Sequence, residues 1–101
     1  MRGTKQSRPA MHTHNLKKGE KIMEPQNYTI LILVDDKPGA LTRITGLFAR
    51  RAYNIDGLTV VKTSNPGISL VTIVTQTTPS NISIIMKQIE RIVDVKSVKL
   101  V

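Results

Sequence analysis

The sequence predicts a small α+β domain in which a four-stranded antiparallel sheet carries two helices on one face. Four short runs of aliphatic and β-branched residues occur along the chain, and such runs are typical of strands. Two other segments place apolar residues three or four positions apart, as amphipathic helices do. The length of 101 residues suits one compact domain.

The first half of the domain contains a strand, a turn and a helix. Tyr28–Val34 is a β-branched, apolar run and predicts the first strand. Asp35–Gly39 ends in a Pro-Gly pair and predicts a turn. Ala40–Ala52 predicts an amphipathic helix, because its apolar residues recur at helical spacing: Leu41, Ile44, Leu47 and Phe48.

The second half contains a hairpin, a helix and a last strand. Asn54–Thr63 and Ile68–Gln76 predict the second and third strands, and the Asn-Pro-Gly signal between them predicts a tight connection. A Thr-Pro-Ser sequence, Thr78 to Ser80, is typical of a helix N-terminus. The second helix then places Ile82, Ile85, Ile89 and Ile92 at helical spacing. Asp94–Val101 predicts the fourth strand.

The order β-α-β-β-α-β is that of the ferredoxin-like split βαβ arrangement, in which the first and third strands are central. Both of these strands are apolar on both faces; in the first, Ile30 and Ile32 alternate with Leu31 and Leu33. One face is expected to pack on the helices. The other would be an exposed apolar sheet, so we predict that the chain self-associates or binds a partner chain.

Composition narrows the possible chemistry. The chain has no cysteine, so disulfides, thiolate nucleophiles and zinc-thiolate sites are excluded. No apolar run approaches the roughly 20 residues that a membrane span requires, and the first residues do not resemble a secretory signal. We therefore expect a cytoplasmic protein that does not contact a membrane. No catalytic constellation, dinucleotide-binding glycine motif or phosphate-binding loop is evident, so we do not expect an enzyme.

The net charge of +8 is concentrated near the N-terminus. Residues 1–22 hold six basic residues and one acidic residue, whereas the rest of the chain holds nine basic and six acidic residues. We divide the chain into a disordered basic tail, residues 1–26, and a folded domain, residues 27–101. His12 and His14 in the tail are either metal ligands without a third partner or simply solvated side chains.

Met23 is a candidate for the natural start of the protein. The codons for Lys17 to Glu20 can contain a purine-rich ribosome-binding element just upstream of it. Residues 1–22 are then either a translated leader or an ordinary flexible extension. The gene sequence distinguishes the two.

The turn before the first helix is the first candidate site. The free N–H groups and partial positive charge of a helix N-terminus can hold a carboxylate. Gly39 would let a ligand approach the backbone closely, and Pro38 would stiffen the approach. The alternative is a plain strand-to-helix turn.

Asn54 is the second candidate, because its amide can both donate and accept hydrogen bonds. The alternative is a left-handed residue at the end of the helix, where Asn is favoured after Gly. Arg43, Arg50 and Arg51 either contact an acidic partner or the helix dipole, or form a solvated helix face.

The segment Lys37–Leu58, KPGALTRITGLFARRAYNIDGL, closely resembles the N-terminal signature of acetolactate synthase (acetohydroxyacid synthase) small subunits. The match continues through Pro66–Ser69, Thr72–Val74 and Ile92–Val95 and covers about residues 27–101. The run Gly-Leu-Phe-x-Arg-Arg-x-Tyr-Asn-Ile is more specific than the Pro-Gly turn, which many ACT domains share.

This resemblance implies an ACT domain, a ferredoxin-like module that binds small amino acids, usually between paired domains. It implies a non-catalytic regulatory subunit that forms a homodimer and binds a large catalytic subunit. In the family the large subunit holds thiamine diphosphate, Mg²⁺ and FAD, and it condenses two pyruvates, or pyruvate and 2-oxobutyrate. The small subunit itself carries no cofactor; it raises activity and confers feedback inhibition, usually by valine.

Carried over by position, the resemblance places the effector at one loop and at two residues of the partner domain. The loop residues are Asp36, Lys37, Pro38, Gly39, Ala40 and Leu41, and the partner supplies Asn54 and Ile55. Backbone N–H groups of Gly39 to Leu41 would take the effector carboxylate, and side chains would take its ammonium group.

Two features depart from the family pattern. Many members have Asn where this chain has Asp36, whose carboxylate would repel that of valine. Many members also carry a second domain after the ACT domain. Because this chain stops at Val101, it resembles the short, single-domain small subunits.

Two alternatives remain. An ACT module that regulates another enzyme would lack a thiamine-dependent partner. An RNA-recognition motif has the same topology but presents aromatic side chains on its central strands, and this chain has only three aromatic residues.

Overall fold

The computed structural model describes residues 24–101. Their elements follow the predicted order: β1 (Gln26–Asp35), α1 (Ala40–Arg50), β2 (Gly57–Lys62), β3 (Ile68–Thr77), α2 (Pro79–Glu90) and β4 (Val95–Leu100). The fold class predicted from the sequence, a ferredoxin-like βαββαβ domain, is confirmed. The predictions for residues 1–23, including the histidines and Met23, lie outside the described residues.

The four strands form one antiparallel sheet in the order β2-β3-β1-β4. β1 and β3 are therefore central, as their apolar composition predicted. They pair over their whole length, from Gln26 opposite Thr77 to Asp35 opposite Ile68. β2 and β3 form the expected hairpin, and Gly67 in its connection has a φ of 81°, a conformation that only glycine adopts without strain.

The hydrophobic core lies between one face of the sheet and the two helices. Alternate residues of β1 point into it, since Ile30, Ile32 and Val34 are buried while their neighbours are not. The helices contribute Ile44, Leu47 and Phe48 from α1 and three isoleucines from α2, namely Ile82, Ile85 and Ile89. The period of two in the strand and the spacing of three or four in the helices thus define the same core.

The opposite, open face of the sheet has no covering layer within residues 24–101. Leu33 pairs with Leu70 and Leu70 with Val61, so these three apolar side chains form a row across three strands. Leu33 and Leu70 are partly exposed, and Val61 is 58% exposed. The predicted apolar face exists, and its occupant stays a prediction.

β2 is also uncovered on the helix side. Leu58 and Val60 pair with the buried Ile73 and Val71, so they point toward the helix layer. They are nevertheless 40% and 48% exposed, because the helices do not extend over this edge strand. The outer edge of β2 has no strand partner in the part of the chain that the structure describes.

Several boundaries differ from the prediction, beginning with those of β1 and α1. β1 begins at Gln26, a residue that the sequence placed in the tail. α1 ends at Arg50 instead of Ala52, because Ala52 adopts a left-handed conformation with φ 58°. The N–H of Ala52 donates to Ala49 O (3.1 Å) and that of Tyr53 to Phe48 O (2.9 Å). These two bonds form a Schellman motif, which ends the helix.

The second helix begins as predicted and ends earlier. Thr78 is its N-cap, whose side chain accepts a hydrogen bond from the N–H of Asn81 (3.3 Å), and Pro79 occupies the first helical position. The helix ends at Glu90, so Ile92 lies in the following turn, where it still packs against the core.

Candidate functional site

The loop between β1 and α1 is held at its start by backbone hydrogen bonds. The N–H of Asp36 donates to Gly67 O (2.7 Å), and the N–H of Lys37 donates to Asp35 O (2.8 Å). The first bond ties the loop to the β2–β3 connection. Asp36 to Gly39 are all exposed, so the loop presents its backbone to solvent at one end of the sheet.

Gly39 is the N-cap of α1, and its φ of 87° lies in the left-handed region. Because glycine has no side chain, it offers no side-chain oxygen to the first N–H groups of the helix. The N–H of Ala40 donates to Lys37 O (3.1 Å), and that of Arg43 donates to Gly39 O (2.9 Å). The N–H groups of Gly39, Leu41 and Thr42 make no hydrogen bond within residues 24–101.

These free donors modify the predicted site. The sequence assigned carboxylate binding to the N–H groups of Gly39 to Leu41, but that of Ala40 is used within the turn. Thr42, which is absent from the predicted site, supplies a free N–H instead. The sequence could have indicated this donor, because the N–H of the third residue of a helix lacks a side-chain acceptor when the N-cap is glycine.

The predicted loop residues differ in what their side chains can offer. Ala40 is 3% exposed and belongs to the core, so only its backbone lies at the loop surface. Leu41 is 37% exposed and can offer apolar surface to a ligand. The carboxylate of Asp36 lies 3.6 Å from the ammonium of Lys62 at the end of β2. Since both side chains are well exposed, this pair contributes little to stability.

Asn54 and Ile55 lie in an extended connection before β2, which begins at Gly57; the predicted strand start at Asn54 is wrong. Asn54 is exposed, and its carbonyl accepts a hydrogen bond from the Thr75 hydroxyl (2.5 Å). The left-handed position at the end of α1 belongs to Ala52, so that alternative for Asn54 is excluded. Ile55 packs against the core.

One chain does not bring Asn54 to the β1–α1 loop. The N–H of Asp56 bonds to Val74 O (2.7 Å), and Val74 pairs with Thr29 near the start of β1. The loop follows Asp35, six residues further along β1, which is about 20 Å at the rise of a β-strand. The two parts of the predicted site therefore lie at opposite ends of the sheet.

An ion pair beneath the loop was not anticipated. Nε and Nη2 of Arg43 both donate to Oδ2 of Asp94. Arg43 lies in the first turn of α1, and Asp94 lies in the turn before β4 and is 4% exposed. For Arg43 the sequence left open an acidic partner, the helix dipole or a solvated face. It did not indicate Asp94, because the two residues are 51 positions apart and no local pattern joins them.

The aromatic residues do not form a nucleic-acid platform. Tyr28 pairs with the buried Thr75, so it points to the helix side, and it packs against the core together with Tyr53. Phe48 is 1% exposed. Across residues 24–101 the open face of the sheet thus carries no aromatic side chain, whereas RNA-recognition motifs stack bases on aromatics there.

Residues 24–101 contain neither a candidate metal cluster nor a candidate membrane-spanning helix. No group of three or more His, Asp or Glu side chains is placed to hold a metal ion. Neither helix in this part of the chain is long and apolar enough to cross a bilayer.

Comparison with protein families gives a match over residues 30–97 to the AHAS small subunit-like ACT domain. This range contains the β1–α1 loop, Asn54, Ile55 and the Arg43–Asp94 pair. It also covers most of the folded part of the chain.

Proteins with similar sequences are named acetolactate synthase small subunits. A protein of Methanothermobacter thermautotrophicus, named probable acetolactate synthase small subunit, is 40% identical over 77 residues, which are 76% of this chain and 46% of that protein. An acetolactate synthase small subunit of Mycobacterium avium is 38% identical over 73 residues, 72% of this chain and 44% of that protein. The chain thus spans a little under half the length of these two relatives.

Solved structures agree on the fold. The acetolactate synthase small subunit of Thermotoga maritima superposes with a TM-score of 0.69 at 33% identity, covering 74% of this chain and 47% of that one. The ACT domain from the GTP pyrophosphokinase of Chlorobium tepidum gives a TM-score of 0.65 at 19% identity, covering 76% of this chain and 99% of that domain. At this identity the second likeness concerns the fold alone.

Proposed function

The chain belongs to the family of AHAS small subunit-like ACT domains, and from this premise we propose that it is a regulatory subunit of acetolactate synthase. In this proposal it is not itself catalytic. It binds a branched-chain amino acid, of which valine is the first candidate, and this binding changes the activity of a large catalytic subunit. The catalytic subunit forms 2-acetolactate from pyruvate in valine, leucine and isoleucine synthesis.

The observation that carries the proposal is the start of α1 within the family match. The free N–H groups of Leu41 and Thr42 lie at the positive end of the helix dipole, where a carboxylate is stabilised. The first turn, residues 40–43, has no acidic side chain that would compete for them. An amino-acid effector supplies the carboxylate.

The surroundings of these N–H groups suit the rest of an aliphatic amino acid. The exposed side chain of Leu41 offers apolar contact to a branched chain. The Asp36 carboxylate is a partner for the effector ammonium group, and its pairing with Lys62 at 3.6 Å reduces its repulsion of the effector carboxylate. Replacement of Asp36 by a neutral residue is therefore expected to change the affinity for the effector, whereas the binding of its carboxylate does not depend on this side chain.

A homodimer would complete the site. β2 runs parallel to β1, because both are antiparallel to β3, so β2 ends beside the β1–α1 loop and begins at the far end of the sheet. If two copies pair antiparallel along their β2 edges, the start of one β2 meets the end of the other. Asn54 and Ile55 of one copy then approach the loop of its partner. The open edge of β2 and the half-exposed Leu58 and Val60 support this arrangement.

The remaining expectations follow from the family. Thiamine diphosphate, Mg²⁺ and FAD would be bound by the catalytic subunit, and the complex would be cytoplasmic. Regulation requires that the effector bind one arrangement of the complex more tightly than another. A coupling free energy of about 1–3 kcal/mol corresponds to a change of about 5- to 150-fold in the affinity for the effector.

The test is acetolactate formation by the catalytic subunit with and without this chain, titrated with valine. We expect the chain to raise the rate and valine to lower it. An unchanged rate on addition of the chain would refute the proposal. Stimulation without a valine response would support activation of the catalytic subunit. It would also indicate that Asp36 weakens valine binding or that the chain senses another amino acid.

Gly39→Asp is the matching variant. Its carboxylate lies at the N-terminus of α1 and competes with that of the effector, so the valine response is expected to vanish while stimulation is retained. Retained inhibition would place the effector elsewhere. The alternative function, an ACT module of another enzyme, predicts that no thiamine-dependent subunit co-purifies with the chain.

A further inference from the structure

We propose that Arg43 and Asp94 are positioning residues that hold the β1–α1 loop in the shape that binds the effector. The inference rests on the proposed function, since it assigns these residues to the same site. It adds a contribution from the turn between α2 and β4, which is remote in sequence. Neither residue is required to contact the effector.

The guanidinium of Arg43 is anchored by a buried acceptor. Nε and Nη2 both reach Oδ2 of Asp94, whose side chain is 6% exposed. Hydrogen bonds between two charged groups are among the stronger ones in proteins. Two donors from one planar group also fix the direction of the guanidinium, which a lysine ammonium at this position would not achieve.

Gly39 rests directly on this guanidinium. A Cβ atom at Gly39 would lie 3.2 Å from Nη1 of Arg43 and 3.7 Å from its Cζ and Nη2. A side chain at Gly39 would therefore have to displace the guanidinium by a few tenths of an ångström. Two features favour glycine at this position, namely its left-handed backbone and the group packed against its α-carbon.

Asp94 holds the loop at both of its ends. Its side chain binds Arg43, and its backbone O accepts a hydrogen bond from the N–H of Asp35 (2.8 Å). Asp35 is the last residue of β1, and Arg43 bonds to Gly39 through its own N–H (2.9 Å). One buried residue thus fixes the strand that enters the loop and the helix that leaves it.

The placement of Arg43 is otherwise unfavourable. A cation in the first turn of a helix lies at the positive end of the dipole. The Asp94 carboxylate offsets this charge and keeps the guanidinium beneath Gly39. Without Asp94 the guanidinium is free to move and the loop loses its support.

The test uses the full chain reconstituted with the catalytic subunit. The variants are Arg43→Lys, which keeps the charge but not the two-donor geometry, and Asp94→Asn, which keeps the shape but not the charge. The matched control is Arg91→Lys, since Arg91 is an exposed arginine at the end of α2. Stimulation, the valine concentration for half-inhibition and amide hydrogen exchange are measured for each.

We expect Arg43→Lys and Asp94→Asn to raise the half-inhibiting valine concentration about tenfold, as loss of one charge-assisted hydrogen bond would, with stimulation retained. Exchange should accelerate at the N–H groups of Asp35 and Arg43 but not in the core of α2. The control should behave as the natural chain. A uniform acceleration of exchange would indicate general destabilisation and overturn the inference.

The outcomes separate the two proposals. If the natural chain neither stimulates nor responds to valine, the proposed function fails. If the natural chain responds and Arg43→Lys responds at the same concentration, the positioning role fails while the proposed function stands. Arg43→Lys decides the matter even if Asp94→Asn does not fold.

Discussion

Replacement of Gly39 by alanine separates the two reasons for glycine at the start of α1. Gly67→Ala is the matched control, because the two glycines have φ values of 87° and 81° and therefore nearly the same backbone requirement. They differ in their surroundings. A Cβ at Gly39 would meet Arg43 Nη1 at 3.2 Å, whereas a Cβ at Gly67 would meet nothing within 4 Å.

The backbone term is common to both variants. A left-handed conformation costs an L-residue about 1–2 kcal/mol, and the reduced entropy of the unfolded chain returns about 0.4–1 kcal/mol. Gly67→Ala should therefore lower the free energy of unfolding by about 1 kcal/mol. Gly39→Ala must also displace the guanidinium of Arg43, which is held by Asp94.

The additional loss at Gly39 is a fraction of one charge-assisted hydrogen bond. Such bonds contribute about 1.5–3 kcal/mol, and the half-exposed side chain of Arg43 calls for a reduction because water screens its charge. We expect Gly39→Ala to be less stable than Gly67→Ala by about 1 kcal/mol. The loop should also bind the effector less tightly in Gly39→Ala.

The assay is urea unfolding of both variants and of the natural chain, followed by valine titration of the reconstituted enzyme. Unfolding free energies give the difference between the two glycines directly. We expect the half-inhibiting valine concentration to rise for Gly39→Ala by about tenfold and to stay nearly unchanged for Gly67→Ala. Stimulation without valine should be similar in all three.

Equal losses of stability at the two glycines would refute the reasoning, because they would show that the guanidinium gives way without penalty. An equal change in valine response at both would also contradict it. In that case the left-handed backbone alone would explain why glycine precedes α1.

The remaining predictions concern the end of α1 and the open face of the sheet. Ala52→Gly should raise the free energy of unfolding by about 0.5–1 kcal/mol, because it relieves the left-handed φ of the Schellman motif. Ala49→Gly within the helix should lower it by a similar amount. A thermal or urea unfolding curve in which Ala52→Gly is less stable than the natural chain would contradict this. Leu70→Asp should reduce the assembled fraction in sedimentation of the chain, alone or with the catalytic subunit, because it places a charge in the apolar row of the open face, while Ile84→Asp on the exposed side of α2 should not. Sedimentation of Leu70→Asp indistinguishable from that of the natural chain would show that this face stays uncovered.

The fold could be predicted because its signals are local. Alternation in β1 and the isoleucine spacing of α2 each follow from the geometry of one element, and the order of elements then selects a single topology. The ends of the helices were harder to predict, because each end depends on which residue adopts a non-helical backbone conformation. At the end of α1 the sequence offered Asn54 for the left-handed position, yet the structure uses Ala52.

The candidate site was partly predictable for the same reason. Gly39 and the loop around it carry a local signal, a Pro-Gly turn before an amphipathic helix. The free N–H of Thr42 follows from the position of the helix start. The separation of Asn54 from the loop does not, because it depends on which strand ends lie together in the sheet.

The sequence by itself determined the class of fold, the core and the segment that starts α1, because each depends on residues within a few positions of one another. Only the tertiary structure decided how that segment is supported. Arg43 and Asp94 are 51 residues apart, and no spacing rule joins a helix to a turn that reaches it through the folded sheet. Their contact exists because β1 and β4 are neighbours, which places the turn before β4 under the loop after β1.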